Sequence, residues 1–487
     1  MTDKPKAAGQ LKADFGGIPL EGNRFVFTAA QNNTYLHEKF FKALLRYCDD
    51  TKAELVVAKF RYNKNAFQNL SEDNENEEIW YDQRLEPYFL TEQATIRRDL
   101  IWCGELNILP TAVNPLSGLE NYTRDASCIV PHAKVQMKSV PTMKHEPTKF
   151  MYTTGAVTLR NYIPQKAGQK ASFNHMFAAL FVEVDEDGDW FARQLVANNE
   201  GEFQDLTTKY TSRGIERDKR IEALTFGDIH SELTDKLVAE ASWGAGSGSM
   251  TNVLRPKKQF AHDLTDFRAR NHHNLNDPHI LASYHARGAD SVREGLLCSA
   301  VWLAIADRPW SEIIVVESNH DQALMRWLKD PRGAMDPVNS GYWHELNAYA
   351  HKELAEGRQP HVFEYAIRSF CGPYSLTMDR VRFLREDETY EICRTPTSPG
   401  IECGMHGHRG PNGSRGSIRN LRNIGKRANI GHSHEAGIVD GVYQAGVSAP
   451  LDMGYNVGPS SWSNTHIVTY PSGKRTLVTI RNGKWRA

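Results

Sequence analysis

An apolar run typical of a β-strand is followed by a polar cluster in Ile221-Glu-Ala-Leu-Thr-Phe226-Gly-Asp228-Ile-His230. Three more polar clusters follow in chain order: His262-Asp263-Leu-Thr-Asp266, Ser318-Asn319-His320-Asp321 and Gly431-His432-Ser-His434. The second and third clusters also end apolar runs, at residues 260–261 and 313–316. The pattern therefore predicts an α/β fold with polar side chains at the ends of strands.

Side chains at strand ends are well placed to form a site. In open α/β sheets, ligands bind in the crevice beyond the carboxyl ends of the strands, where separate loops converge. Asp228 and His230 are two residues apart, as are His432 and His434, so each pair can bind one ion or two neighbouring ions from an extended turn. Carboxylate, imidazole and amide ligands together suit manganese, iron, zinc or magnesium. One such pair alone is more typical of a solvated turn, but the ordered set predicts a two-metal hydrolytic site.

The order of these clusters resembles the calcineurin-like metallophosphoesterase superfamily over residues 221–441. That family has the pattern Asp-x-His, Gly-Asp-x-x-Asp, Gly-Asn-His-Asp/Glu, a lone His, and Gly-His-x-His. The resemblance implies two divalent metal ions, Mn²⁺ foremost, with Mg²⁺, Fe²⁺ or Zn²⁺ as alternatives. The ligands it implies are Asp228, His230 and His434 for the first ion, Asp263 as the bridge, and Asn319, His406 and His432 for the second.

The resemblance leaves some positions open. The lone histidine is His406 in the favoured interpretation, with His408 as the reserve ligand or as a donor to phosphate. His262 and Ser318 stand where the family usually has glycine, which puts the geometry of those two turns in question.

His320 is the predicted catalytic histidine. In the family the equivalent histidine faces the substrate, where it serves as a general acid or stabilises the transition state. The resemblance implies that Asp321 orients the His320 ring and raises its basicity. A purely structural role for His320 is the alternative.

Residues 409–427 form a basic, glycine-rich segment with six cations, four glycines and no acidic residue. The glycines favour a loop. Because predicted ligands flank it, the loop is expected to pass near the metals and to contact phosphate, although a solvated basic face is the alternative. Arginine contacts to phosphodiester oxygens suit a nucleic-acid substrate. The predicted substrate-binding residues are His408, Arg409, Arg415, Arg419 and Arg422.

Composition limits the remaining interpretations. The chain has 487 residues, which exceeds a single typical core, so two domains are expected. Its hydrophobic fraction of 40% is enough to form buried cores. A net charge of −1 gives no overall attraction to DNA, so any attraction to phosphate must be local. No apolar stretch has the length of a membrane span, and the polar start does not resemble a signal peptide. Seven cysteines without a Cys-x-x-Cys pair favour reduced thiols in the cytoplasm.

Three regions are predicted along the chain. Residues 1–20 are a polar tail, and residues 21–215 form an N-terminal α/β domain without an assigned role. Its start predicts a β-α-β unit, with strands at 25–28 and 55–60 and a helix at 35–48. Residues 216–487 are predicted to form the α/β/β/α metallophosphoesterase sandwich, including a C-terminal β-hairpin at 465–480.

The predicted function is that of a metal-dependent phosphoric ester hydrolase, and specifically a nuclease that cleaves phosphodiester bonds in DNA. The chain also resembles phosphoesterases of large tailed bacteriophages, including those of T5-like phages that act in DNA degradation, which implies the host cytoplasm. One alternative is a phosphomonoesterase acting on protein or nucleotide. Another is a degenerate phosphoesterase that captures a host protein through its N-terminal domain. The sequence leaves open whether the chain forms a homo-oligomer.

Overall fold

The computed structural model of the chain describes residues 17–62, 78–271, 274–396 and 398–487. Within these ranges the protein is mixed α/β, with four β-sheets. The strands of residues 17–216 are β1 Ile18–Pro19, β2 Arg24–Gln31, β3 Glu54–Phe60, β4 Gln93–Arg97, β5 Leu100–Cys103, β6 Ser127–Val130, β7 Met137–Val140, β8 Lys149–Thr153, β9 Ala178–Val184, β10 Trp190–Val196, β11 Phe203–Asp205, β12 Thr208–Tyr210 and β13 Ile215–Glu216.

The following strands are β14 Ala223–Thr225, β15 Lys258–His262, β16 Glu312–Val316, β17 Val381–Leu384, β18 Glu391–Ile392, β19 Ile401–Glu402, β20 Arg427–Ile430, β21 Gly437–Val439, β22 Val442–Gln444, β23 Thr465–Thr469 and β24 Arg475–Thr479. The α-helices are α1 Glu38–Thr51, α2 Lys166–Asn174, α3 Lys236–Trp243, α4 Met250–Leu254, α5 Pro278–Ala286, α6 Val292–Ala306, α7 Ala323–Leu328, α8 Ser340–Ala355, α9 Val362–Arg368, α10 Cys371–Tyr374 and α11 Ile418–Leu421.

Six strands form the sheet that carries the first three polar clusters. Their order is β17-β16-β15-β14-β23-β24, in which β14 to β17 are parallel and the β23–β24 hairpin lies antiparallel on β14. Alternate side chains face opposite sides of this sheet. Leu224 and Ile313 pack among the helices α3, α6, α7, α8 and α9, whereas Phe260 and Ile314 pack on the other side.

A second sheet covers that other side. Ile401 and Cys403, at strand β19, pack against the inner face of β14 to β16. The far face of the second sheet is covered in turn by α11, whose Leu421 contacts Ile430 and Val442. Burying each such aliphatic side chain contributes about 1.5–3 kcal/mol, which holds the two sheets together. The local layering is therefore helix, sheet, sheet, helix.

The second sheet has eleven strands and crosses the predicted domain boundary at residues 215/216. Its order is β1-β4-β5-β6-β8-β7-β21-β22-β20-β19-β18, and β7 pairs antiparallel with β21 through Met137 and Ile438. The N-terminal strands thus belong to the same sheet as β19, which precedes His406, and β20, which precedes the cluster at residues 431–434. The predicted boundary therefore does not divide this sheet, although the sheet β10-β9-β2-β3 and the six-stranded sheet each lie within one predicted region.

The start of the described chain forms the predicted β-α-β unit, with β2 and β3 parallel. Helix α1 begins three residues later than predicted, because the His37 side chain caps it by accepting a hydrogen bond from the Phe40 N–H. Ile18 and Pro19 belong to the predicted polar tail, but in the structure they form strand β1, which pairs with β4. Residues 1–16 of that tail lie outside the described residues.

Two findings bear on the environment of the chain. All seven cysteines have free thiols. Among the described residues, no helix combines the length and the apolar character that crossing a membrane requires.

His175 is a fully buried histidine between two neutral partners. Its Nε2 lies 2.9 Å from the Thr158 carbonyl oxygen and its Nδ1 lies 2.7 Å from the Tyr162 hydroxyl. A carbonyl oxygen can only accept, so Nε2 donates and Nδ1 accepts from the hydroxyl. Burial lowers the pKa of His175 to about 3.

We expect acid to destabilise the fold partly through His175. Its folded pKa of about 3 lies below the ordinary value of roughly 6.5 in an unfolded chain. The neutral ring therefore stabilises the fold above that ordinary value, and this contribution is lost as the pH falls below it. At pH 5 the loss is about 2 kcal/mol. In urea denaturation, His175→Gln should reduce the fall in unfolding free energy between pH 7 and pH 5 by this amount. An unchanged pH dependence would contradict the assignment.

Candidate metal centre

The ends of five strands bring the predicted ligands together. Strands β14, β15 and β16 are parallel neighbours, so the residues that follow them meet at one edge of the six-stranded sheet. Strands β19 and β20 are parallel neighbours in the other sheet. The residues that follow these strands are Asp228 and His230 (β14), Asp263 (β15), Asn319 and His320 (β16), His406 (β19), and His432 and His434 (β20).

Four of these residues have left-handed backbone conformations. The φ angles are 46° for His230, 43° for Asp263, 80° for His432 and 58° for His434. Non-glycine residues rarely adopt this region, and such strain is concentrated at functional sites. Hydrogen bonds hold the strained turns, since the His230 N–H donates to the Asp263 carbonyl oxygen at 2.8 Å.

Glycine is required at position 431 by close packing. A Cβ atom there would lie 2.1 Å from Asp228 Oδ1. The next residue, His432, donates its backbone N–H to Asp228 Oδ2 at 2.8 Å. The loop at residues 431–434 thus contacts the Asp228 carboxylate directly.

The first cluster contains Asp228, His230, Asp263 and His434, whose ligand atoms all lie within 4.8 Å of one another. His230 Nε2 lies 3.0 Å from His434 Nε2, and His434 Nε2 lies 3.2 Å from Asp228 Oδ2. All four side chains are buried.

A second cluster adjoins the first through Asp263. Asp263 Oδ2 lies 3.3 Å from His406 Nε2 and 3.8 Å from His230 Nε2. Asn319 Oδ1 lies 3.1 Å from His432 Nδ1, and the ring centroids of His406 and His432 are 5.3 Å apart. The seven predicted ligands therefore converge, and Asp263 lies between the two clusters.

The protonation states of these side chains suit metal binding. Burial lowers the pKa of His406 to about 3 and the pKa of His434 to about 4, so both rings are neutral and have free lone pairs at neutral pH. Burial, followed by the charge of Asp263, raises the pKa of Asp228 well above its usual value. A cation would relieve that repulsion. Among the described side chains, none forms a hydrogen bond with the buried Asp228 Oδ1, which fits a ligand for a metal ion.

His406 and His408 differ in position. His406 contacts Asp263, whereas His408 Nε2 lies 3.4 Å from Glu386 Oε1. The ring of His408 is nevertheless close to His406, with centroids 5.4 Å apart. The geometry thus favours His406 as the ligand and leaves His408 beside the cluster.

His262 contacts His406. The calcineurin-like family, which the sequence resembles, usually has glycine at this position. His262 Nδ1 lies 3.4 Å from His406 Nδ1, and the His262 ring is fully buried. Burial lowers the pKa of His262 to about 4. A neutral His262 can accept the Nδ1 proton of His406 and thereby leave His406 Nε2 free toward Asp263. The replacement of glycine therefore adds an orienting contact.

The orienting role predicted for Asp321 is corrected by the structure. The Asp321 carboxylate accepts hydrogen bonds from the Thr265 N–H at 3.1 Å and from the Ser318 hydroxyl at 2.9 Å. His320 instead contacts Asp266, with Nδ1 lying 2.9 Å from its carbonyl oxygen and 3.6 Å from Oδ1. Asp321 fixes the turn, where Ser318 takes the place of the usual glycine.

Asp266 serves two histidines at once. Its Oδ1 also lies 3.0 Å from His230 Nδ1, which directs His230 Nε2 into the first cluster. Because the Asp266 carbonyl is an acceptor, His320 Nδ1 carries a proton and Nε2 is the nitrogen left for a substrate. Burial alone would lower the pKa of His320, but Asp263 and Asp266 outweigh burial and raise it to about 9.

Glu232 supports the Asp266 turn and was missed in the sequence. Its carboxylate accepts the Asp266 N–H and the Thr265 hydroxyl. Burial, followed by the charge of Asp266, raises the pKa of Glu232 to about 7. The only signal in the sequence was its position two residues after His230.

The predicted substrate-binding arginines occupy different surroundings. Arg409 pairs with Glu386, and Arg422 pairs with Asp440 at 3.3 Å. Arg415 and Arg419 are exposed, and the structure shows no ion pair for either among the described residues. Arg415 lines the cavity at the metal centre, whereas Arg419 and Arg422 line a second cavity.

The cavity at the metal centre has a volume of about 630 Å³. Its polar lining includes Asp263, His320 and His434, and its aromatic lining consists of Tyr284, Tyr455 and Trp462. A glutamate, Glu435, lines both this cavity and the second one, so the two are neighbours. The aromatic residues were missed because no motif includes them.

The fold and the site define a mixed α/β protein with a buried aspartate and histidine cluster able to hold a metal ion. The chain belongs to the family of Protein A1 of Escherichia phage T5. The two proteins are 42% identical over 499 residues, which cover 100% of this chain and 87% of the relative. The phage relationship implied by the sequence is thereby confirmed. No family model matches the chain. No solved structure matches it.

We expect Asp263→Asn to weaken metal binding strongly, because Asp263 faces both clusters and asparagine offers one neutral oxygen. Bound metal is measured by isothermal titration with Mn²⁺ and by elemental analysis. Asp321→Asn is the matched control, since Asp321 is equally buried but, in the described part of the chain, its carboxylate hydrogen bonds go to Ser318 of its own turn and to Thr265. Equal losses of metal in the two variants would contradict the bridging position of Asp263.

Proposed function

We propose that the chain is a two-metal phosphoesterase that hydrolyses phosphodiester bonds, with DNA as its substrate. The observation that carries this proposal is the convergence of seven predicted ligands from five strand ends, with Asp263 between the two clusters. Such an arrangement has little other use, because it buries carboxylates among neutral imidazoles and, among the described residues, no lysine or arginine pairs with them.

The layering of the fold supports the calcineurin-like part of the proposal. Helices α3 and α6 to α9, the six-stranded sheet, strands β18 to β22 and helix α11 follow one another as four layers. The metal centre lies where the strand ends of the two sheets meet. An α/β/β/α sandwich has this order, although the second sheet here continues into β1 and β4 to β8.

The chemistry divides between metals and side chains. Two divalent ions, with Mn²⁺ proposed as the native metal, would activate a water molecule and neutralise charge on the phosphate oxygens. Asp228, His230 and His434 would hold one ion, Asn319, His406 and His432 the other, and Asp263 both. His320 would supply a proton from Nε2 to the leaving oxygen, with Asp266 fixing its ring.

The nucleic-acid part of the proposal rests on local charge. Arg415 lines the metal cavity, and Arg419 lines the neighbouring cavity, so the two can meet successive phosphates of one strand. Arg409 and Arg422 are engaged by Glu386 and Asp440 and contribute less. With a net charge of −1, attraction to DNA has to come from such a local track. The relationship to a phage protein fits action in the host cytoplasm.

Purified protein should be incubated with linear and circular DNA, RNA and p-nitrophenyl phosphate, each with Mn²⁺ or EDTA. We expect metal-dependent cleavage of DNA that EDTA abolishes. Hydrolysis of the small ester alone would favour a phosphomonoesterase. Metal binding without any hydrolysis would favour a degenerate phosphoesterase that binds a partner.

Replacing His320 by alanine should separate chemistry from metal binding. If His320 donates a proton to the leaving oxygen, His320→Ala should lower the cleavage rate by roughly 10²–10⁴-fold. The loss should be smaller for p-nitrophenyl esters, whose leaving group needs little protonation. Metal content should remain that of the wild type, and a variant that loses metal would show that His320 is a ligand.

Neutralising Arg415 and Arg419 together should weaken DNA binding. We expect the slope of log affinity against log salt to fall by about 0.9 for each lost phosphate contact on duplex DNA. Arg98→Ala is the control, because Arg98 is exposed in the β4–β5 turn. This turn lies near one edge of the eleven-stranded sheet, whereas β19 and β20 lie near the other edge. Affinity and salt slope are measured by fluorescence anisotropy. Indistinguishable slopes in the two variants would remove the argument for a phosphate track.

A further inference from the structure

We propose that Tyr455, supported by Trp462, forms a stacking surface for a nucleobase beside the metal centre. This inference deepens the proposed function and rests on it. It specifies that the enzyme binds the base next to the reacting phosphate and does not bind the backbone alone.

The surface belongs to the loop at residues 450–464, between β22 and β23. Met453, Tyr455 and Trp462 of this loop line the same 630 Å³ cavity as Asp263 and His434. A cavity of that size falls within the range of small-molecule and cofactor sites. The loop therefore supplies an apolar wall to an otherwise polar site.

Trp462 joins the wall to the metal ligands. Its ring centroid lies 4.3 Å from that of His434, with the planes at 74°. Its backbone is held because the carbonyl accepts a hydrogen bond from the Thr148 hydroxyl. The Trp462 ring is therefore fixed against a predicted ligand and is better suited to support than to contact with a mobile group.

Tyr455 is the exposed part of the wall. Its ring centroid lies 5.7 Å from that of Trp462, and 52% of the residue is accessible. The neighbouring loop residues Leu451 and Val457 are also exposed. An exposed apolar surface at the mouth of a charged cavity indicates a ligand with an apolar face.

The loop is ordered by its own hydrogen bonds. Asn456 Nδ2 donates to the Leu451 carbonyl oxygen at 2.9 Å, and Asn456 Oδ1 accepts the Met453 N–H at 3.1 Å. Asp452 pairs with Lys144 at 2.8 Å. Tyr455 is thus presented from a preformed loop, which lowers the entropic cost of stacking.

The same cavity offers complementary charge. Arg415, exposed and on the cavity lining, can meet a phosphate oxygen while the reacting phosphate lies at the aspartates and histidines. A ligand with a phosphate and a flat aromatic face satisfies both parts of the lining. Among phosphodiesters that description fits a nucleotide, because every base has a face that can stack on tyrosine.

The experiment compares two single-stranded oligonucleotides with the same backbone, one with bases and one with abasic tetrahydrofuran units. Binding is measured by fluorescence anisotropy in EDTA, and cleavage is measured in Mn²⁺. The wild type should bind the normal strand roughly tenfold more tightly than the abasic strand. In Tyr455→Ala this preference should largely disappear, while Tyr455→Phe should retain it. Because Tyr455 is exposed, the alanine variant should fold, and circular dichroism checks this.

The outcomes separate the stacking surface from the proposed function. Metal-dependent cleavage of both strands with equal affinity would overturn the stacking surface and leave the phosphoesterase intact. Cleavage of neither strand would count against the proposed function, whereas a lost base preference in Tyr455→Ala in EDTA would still support the surface. If Tyr455→Ala impairs p-nitrophenyl phosphate hydrolysis as much as DNA cleavage, the wall accepts any aromatic leaving group, and the nucleobase assignment is overturned.

Discussion

The buried carboxylate of Asp263 is the group on which the rest of the site depends. It ends a strand in the middle of the six-stranded sheet, yet it faces histidines that follow strands of both sheets. Burial would raise its pKa, but the neighbouring histidines, of which His320 is the one protonated at neutral pH, outweigh burial and hold the pKa of Asp263 well below its usual range. A buried charge of this kind favours a cation beside it, and the surrounding lone pairs could hold a metal ion.

Such a group needs a rigid frame, and the two packed sheets supply one. Phe260 and Ile314 of one sheet pack on Ile401 and Cys403 of the other, just before the chain turns into the loops that carry the predicted ligands. The left-handed turns at the predicted ligands are strained and persist because the surrounding hydrogen bonds hold them. The packing of the two sheets thus stabilises the strained backbone of the turns at the strand ends.

Residues that contact the histidine rings fix the direction in which each ring nitrogen points. Asp266 orients His230 toward the first cluster and His320 toward the cavity, while His262 orients His406. These residues come from turns that are adjacent only in the folded chain. The aromatic loop at 450–464 adds an apolar wall to the same cavity, which under the proposed function would let the site discriminate among phosphate esters.

The sequence by itself determined which aspartate, asparagine and histidine residues form the cluster and their order, because a polar residue that directly follows an apolar strand has its position set by local chain geometry. It also determined the β-α-β start and the C-terminal hairpin. Only the tertiary structure decided that Asp266 contacts His320 while Asp321 braces its own turn, that Glu386 and Asp440 engage Arg409 and Arg422, and that one sheet spans residues 215/216. Each of these depends on contacts between segments far apart in the chain, for which local pattern and spacing contain no information.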